Sequence, residues 1–423
     1  MNSNVEHNQL PDEETVQALR EIARRHGTPT YAFDVRRLNA QVERLRRHLP
    51  AEIEILYSLK SNASLGICDM LAECGVGADV ASAGEFATAL EAGFPQNRIF
   101  VAGPFKLAET IARLHETPQA IVSIDSLSEL QRLSNELIPN SAVLRLRPDF
   151  GSCAVVPAGS ESRFGFTCDE LQRCRDFLPS CHVDVIGFHV YAGSQVLDAD
   201  KLNEHLRRAL DLSLRAAETL DIAPTYFNLG GGFGISYSAD RAELDLARVG
   251  EELAQLVARA APARIVLELG RYLVAECGWY LTSVVGHQTF QGRPAVIVDG
   301  GVHQRADMCG LHLRTKQRPP LVLHADASAV VTPTDVLGCL SLPDDVMLEA
   351  SPLPKLSPGD VLAFSHAGAY GMWSSPAIFH GSPLPAEAAF DGANIYLMRD
   401  RKPAQSILED QRHVIRKTAT SPV

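Results

Sequence analysis

The segment EILYSLK (54–60) sets the reading of the fold. Its apolar residues run almost unbroken, as in a strand covered on both faces. Seven segments of the same kind follow: GADVAS (77–82), RIFVAG (98–103), AIVSID (120–125), AVLRLR (142–147), VDVIGFHVY (183–191), TYFNLG (225–230) and ARIVLEL (263–269). Between them, 64–74, 84–92, 106–115, 127–138, 169–178, 201–219 and 243–261 place apolar residues at helical spacing. Eight strands alternating with helices predict an α/β fold, a closed (β/α)8 TIM barrel. A doubly wound open sheet is the alternative.

Working outward, PTYAFD (29–34) alternates like a strand, and a basic amphipathic helix follows over 35–49. Past Leu273 the helical period fades into short alternating segments punctuated by Pro and Gly: YLTSVVGHQTF, PAVIVDGG, PPLVLHA and DVLAFSHAGAY. These predict a C-terminal all-β domain. The expected division is a barrel over 35–272, with 1–34 and 273–423 forming a β-rich barrel or sandwich that completes the active site. GSCAVVPAGSES (151–162) reads as a long barrel loop, and the last dozen residues are expected to fray.

Of 423 residues, 46% are hydrophobic and 21% charged, which excludes a mainly disordered chain and a coiled coil. The net charge of −12 argues against a nucleic-acid binder. No apolar run approaches the ~20 residues of a membrane span, and the polar, acidic N-terminus does not resemble a signal peptide. The nine cysteines form no CxxC, so neither a disulfide framework nor a metal site is expected. A reduced, cytoplasmic protein is the expectation.

Reactive residues of such barrels collect at the C-terminal ends of the strands. The first strand ends on Lys60, one of only seven lysines against 32 arginines. A lysine closing an apolar strand is either snorkelling or an amine with a depressed pKa suited to a Schiff base. The seventh strand runs into Gly230, Gly231 and Gly232, a turn whose N–H groups can approach an anion closely. The loops after strands seven and eight are the habitual phosphate site of this barrel. The eighth strand ends in Glu268, Gly270 and Arg271, and Arg271 can clamp the same phosphate. An amine, an anion cradle and an inward carboxylate on adjacent strands meet the needs of pyridoxal 5′-phosphate, with Glu268 keeping the pyridine nitrogen protonated. A salt bridge from Glu268 to Arg145 or Arg147 is the plainer competing reading, and the two can hold together. His189 and Tyr191 share one face of the sixth strand, and either ring can stack on the cofactor. Asp79 and Glu85 flank the turn after the second strand, where helix-start acids are also expected.

In combination these motifs resemble the fold-type III pyridoxal-phosphate decarboxylases, the family of diaminopimelate, ornithine and arginine decarboxylases. The resemblance covers nearly the whole chain and implies an alanine-racemase-like barrel with an all-β companion. YSLKSN resembles the Schiff-base segment, with Lys60 as its lysine. The resemblance implies Asp79, Glu85, Arg145, Ser194, Gly230 to Gly232, Glu268, Gly270, Arg271 and Tyr370 as cofactor contacts. It implies Asp299, His303 and Asp345 on the substrate side, and a homodimer with shared sites.

Two departures bear on the substrate. The family's cofactor-stacking histidine is matched by Tyr191. Its Cys-Glu-Ser-Gly-Asp segment, which supplies a proton donor and contacts to the distal substrate group, reads here SLPDD. That puts Ser341 at the cysteine, Leu342 at the glutamate and Asp345 at the aspartate, with Cys339 two residues early. Catalytic candidates are therefore Lys60, Ser341, Cys339 and Asp345. Losing the glutamate removes a partner for a distal ammonium. The chain looks closer to an atypical branch that includes a butirosin-pathway decarboxylase of a carrier-protein-bound glutamyl group. This implies α-decarboxylation of an amino acid or aminoacyl group in specialised-metabolite biosynthesis, with an acyl- or peptidyl-carrier protein as partner. Arg305, Arg314, Lys316 and Arg318 are the candidate docking patch. A free diamino acid decarboxylase, a racemase and a degenerate cofactor-binding homologue remain alternatives.

Overall fold

A computed structural model describes residues 11–413 apart from 152–155, 158–161, 239–240, 310–317, 325–328 and 393. The expected loop 151–162 and fraying tail therefore lie largely outside the described residues. Eight parallel strands close into a barrel: Glu54–Ser58, Gly77–Val80, Ile99–Val101, Ile121–Ile124, Ala142–Leu146, Val185–Val190, Tyr226–Asn228 and Arg264–Leu269. Closure excludes the open-sheet alternative. Each strand falls within its predicted segment, because burial on both faces selects the continuous apolar runs that marked it. Leu56, Phe100, Ile121, Val143, Tyr226 and Val266 fill the barrel interior as one cluster.

The outer helices start where the sequence supplies caps. Ser82, Ser126, Thr167 and Asp245 each accept an N–H from the first turn of the helix that follows. One helix was not anticipated. Glu13–His26 carries acids in its first turn and Arg24, Arg25 and His26 in its last, and Asp12 caps it.

The second body is a nine-stranded mixed sheet. Its spine is the long strand Gly278–Phe290, which pairs antiparallel with Thr30–Asp34, Arg293–Val298 and Val361–Phe364. Thr30–Asp34 also pairs in parallel with Ala386–Phe390. The segment predicted as DVLAFSHAGAY is strand only over Val361–Phe364. The remainder turns back to the barrel, with Tyr370 in the left-handed region at φ 54°.

Candidate active site

The eighth barrel strand pairs with the first, setting Glu268 opposite Leu56. The first strand stops at Ser58, and a 3-10 turn, Leu59–Ser61, carries Lys60 over the barrel mouth with 43% of its side chain accessible. Its Nζ stands 3.9 Å from Asp79 Oδ2 and 5.1 Å from the centroid of the Tyr191 ring. Asp79 Oδ2 accepts a 2.6 Å bond from Ser58 Oγ, whereas its Oδ1 is buried without a partner. The depressed amine pKa expected from the sequence is not what the site produces. The closed-in setting disfavours the ammonium, but Asp79 first, then Tyr191 and Glu268, outweigh it and hold the Lys60 pKa above its ordinary value.

Glu268 is buried. Its Oε1 accepts a 2.7 Å bond from Asn228 Nδ2 and lies 3.3 Å from His189 Nε2. Burial, then the Asp79 charge, push its pKa up to about 7 against the pull of Lys60 and Arg145. The competing salt bridge does not form. Arg145 is engaged by Asp125 at 3.2 Å, and Arg147 donates to the carbonyls of Phe164 and Arg163. Arg145 thus stands one ion pair away from the cavity it was expected to line.

The two rings of the sixth strand part company. His189 is 2% exposed and points into the barrel, edge-on to Phe100, with Nδ1 2.8 Å from Ser123 Oγ. Burial, then Arg145, Lys60 and Lys106, hold its pKa far below the usual imidazole range. Tyr191, one residue past the strand end, lines the cavity with Lys60, Ser194, Gly232, Glu268 and Arg271.

At the far end of the cavity Gly230 and Gly232 adopt φ +70° and +97°, a region that side-chain-bearing residues avoid. A Cβ on Gly231 would overlap the Glu268 carbonyl oxygen. Gly270 packs on Ser61, and the next residue, Arg271, is 5% exposed. Its Nη1 donates to Tyr237 Oη at 3.0 Å, its guanidinium lies 4.5 Å over the Tyr370 ring, and its Nε is buried without a partner. The Tyr370 N–H donates to the Ser61 carbonyl at 2.7 Å, so the β domain closes onto the turn that carries Lys60. Glu85 braces the turn after Asp79: its Oε2 accepts the Ala81 N–H at 2.7 Å, and its own N–H is capped by Ser82.

Three contributors were missed. Ser58 and Asn228 are polar residues inside apolar strands, a signal that pattern reading can use. Tyr237 carries no such mark, because its contact with Arg271 depends on a loop folding back.

The substrate-side candidates do not line the Lys60 cavity of their own chain. Asp299 spends Oδ1 on Thr282 and Ser283 and Oδ2 on Thr28. Asp345 accepts the N–H groups of Val302 and Leu340, both at 2.8 Å. It therefore pins its own loop. Cys339 is exposed and its Sγ faces the Asp299 carbonyl at 3.5 Å. Burial of its thiol group, then Asp345, raise its pKa, which weakens it as a thiolate. Ser341 is exposed, and His303 is buried with neither ring nitrogen partnered. The docking patch is not assembled as expected. Arg305 is fully buried and makes a bidentate pair with Asp307, because a guanidinium sealed under Tyr280 needs a fork-shaped partner. Arg318 Nη2 donates to the Ser236 carbonyl, and Arg314 and Lys316 lie outside the described residues.

The family profile described as pyridoxal-dependent decarboxylase, pyridoxal binding domain, matches residues 35–275, more than half of the chain. The chain belongs to the pyridoxal-dependent decarboxylases. Among curated relatives, the L-glutamyl-BtrI acyl-carrier-protein decarboxylase of Niallia circulans is 30% identical over 406 residues, covering 92% of this chain and 95% of the relative. The diaminopimelate decarboxylase of Deinococcus radiodurans is 30% identical over 396 residues, covering 92% and 97%. The crystal structure of diaminopimelate decarboxylase from Helicobacter pylori complexed with L-lysine superposes with a TM-score of 0.83 at 24% identity, covering 92% and 98%, and bears out the fold. This decarboxylase uses pyridoxal phosphate, and the residues at the mouth fit it. The unpartnered Arg271 Nε, the glycine turn and Ser194 suit a phosphate, and Glu268 suits a ring nitrogen. No helix among the described residues is long and apolar enough to cross a membrane.

Proposed function

We propose that this decarboxylase removes the α-carboxylate of an aminoacyl group that lacks a distal ammonium, with a glutamyl group tethered to an acyl carrier protein as its substrate. The setting is specialised-metabolite biosynthesis in the cytoplasm, where the free thiols of the described cysteines are stable. One observation carries the reading. The 338–345 loop presents exposed Ser341 and Leu342, while Asp345 is buried, each of its oxygens taking a backbone amide. A distal ammonium entering there would lose its water without gaining that carboxylate. The curated relative that acts on a carrier-bound glutamyl group supports the same choice.

Residues 35–272 would form the cofactor-binding barrel, and 1–34 with 273–423 the domain that completes the site. Lys60 would take the cofactor aldehyde, the 230–232 turn with Ser194, Arg271 and Tyr370 the phosphate, Tyr191 a ring face and Glu268 the ring nitrogen. When bound, pyridoxal phosphate supplies an electron sink for the pair left on Cα as carbon dioxide departs. Asp79 orients the Lys60 amine and holds a proton on Nζ. That proton is the one delivered to Cα in place of the departed carboxylate, a duty for which the exposed Ser341 and the raised Cys339 thiol are poorly suited. A homodimer would bring the 299–303 and 338–345 loops of a second copy to each mouth.

Carbon dioxide release from glutamyl-loaded carrier protein, compared with free lysine, ornithine and diaminopimelate, tests the substrate. The tethered group should exceed the free diamino acids in kcat/KM by about a hundredfold, the cost of one poorly paired ammonium. Preference for a free diamino acid would overturn the reading.

A further inference from the structure

We propose that His189 is a positioning residue that fixes the Glu268 carboxylate, so that one chosen oxygen is offered to the cofactor ring. The inference rests on Glu268 serving the ring nitrogen. His189 itself does not line the cavity. Its Nδ1 lies 2.8 Å from Ser123 Oγ, and Ser123 Oγ makes no other hydrogen bond among the described residues. The consistent arrangement has the hydroxyl donating to Nδ1 and the ring proton on Nε2, which stands 3.3 Å from Glu268 Oε1. Asn228 Nδ2 donates to the same oxygen at 2.7 Å, while its own Oδ1 is held by the Gly230 N–H. Asn228 is thus the one donor hydrogen-bonded to Oε1, and His189 Nε2, buried with no hydrogen-bond partner of its own, stands at contact distance beside the same oxygen, which leaves Oε2 for the cavity.

The relay is anchored at its far end. The Ser123 carbonyl accepts from the buried Lys106 ammonium, which Glu129 faces at 3.4 Å. Phe100 meets the imidazole edge-on at 5.4 Å and fixes its plane. An imidazole kept uncharged by this surround orients Glu268 without cancelling its charge. A cation in its place would hold Glu268 as a weakly basic anion and blunt its grip on the ring proton.

The test uses holoenzyme of His189→Leu, His189→Gln and Ser123→Ala, with Glu268→Gln alongside. Readouts are kcat, KM, cofactor retention on dialysis and the pH dependence of the visible absorbance of bound cofactor. In His189→Leu, kcat should fall about tenfold, the worth of one polar contact beside the carboxylate, with KM within about twofold. The absorbance midpoint should move with it. His189→Gln, whose amide can donate to Oε1, should recover most of the loss, and Ser123→Ala should shift both readouts in the same direction but less. Wild-type kcat and absorbance in His189→Leu overturn the proposal. Should that variant fail to fold, unchanged readouts in Ser123→Ala overturn it instead. If Glu268→Gln is impaired and the relay variants are not, the relay falls alone. If Glu268→Gln is also unaffected, the assignment of Glu268 falls first.

Discussion

The barrel mouth and the 338–345 loop both gather carboxylates, but they use them differently. At the mouth, Asp79 keeps one buried oxygen unpartnered, Arg271 keeps one buried N–H unpartnered, and Glu268 is bonded through one oxygen only. In the loop, Asp345 has both oxygens on backbone amides, and Asp299 nearby has both on hydroxyls and an amide. Polar atoms left unpaired inside a protein cost free energy and persist where a ligand will pair them. Those fully paired hold the chain's own shape. The mouth therefore stores binding capacity and the loop stores structure, although an acid singled out by the sequence marks each.

Replacing Lys60 should break this contrast most severely. Lys60→Ala should lower turnover by at least about a thousandfold, as expected for loss of a covalent group, and abolish the visible band of bound cofactor. Thermal stability should barely move, because the side chain is half exposed. Turnover within tenfold of wild type would mean that the chemistry lies elsewhere. Asp345→Ala should do the converse. One buried and one partly buried N–H group lose their acceptor, costing on the order of 2 kcal/mol, visible as a lower Tm with cofactor absorbance retained. A variant with unchanged Tm and lost kcat would place Asp345 at the substrate after all.

Most of the barrel could be read from the sequence because burial on both faces writes itself as apolar runs. Lys60, the 230–232 turn, Glu268 and Arg271 were legible for a related reason: strand ends of a closed barrel must meet at one mouth. What stayed hidden depends on contacts between segments distant in sequence. Glu268 pairs with Asn228 and faces His189 rather than joining Arg145, because Asp125 already claims that guanidinium. Arg305 read as a surface charge, yet it is sealed beneath Tyr280 with Asp307. The Glu13–His26 helix was overlooked because its polar start masked the buried stripe of Val16, Ala18, Leu19 and Ile22.

The smallest expected effect sharpens the contrast through pH. Glu268 has its pKa raised to about 7 by burial and by Asp79, so the folded apoprotein binds a proton there that the unfolded chain, titrating near 4.5, has released. Stability from this group is therefore fully present below the unfolded value and is lost as pH rises through about 7. Lys60, shifted the opposite way in charge but also upward, stays protonated throughout this window and adds no slope. The apo wild type should lose Tm relative to apo Glu268→Gln as pH climbs from 5 to 8, by a few degrees, and thermal scans across that range measure it. Parallel curves would mean that Glu268 is ionised in the folded protein at neutral pH. The Asn228 bond to Oε1 would then be charge-assisted, and the desolvation that sets the mouth apart from the loop would be weaker than its burial implies.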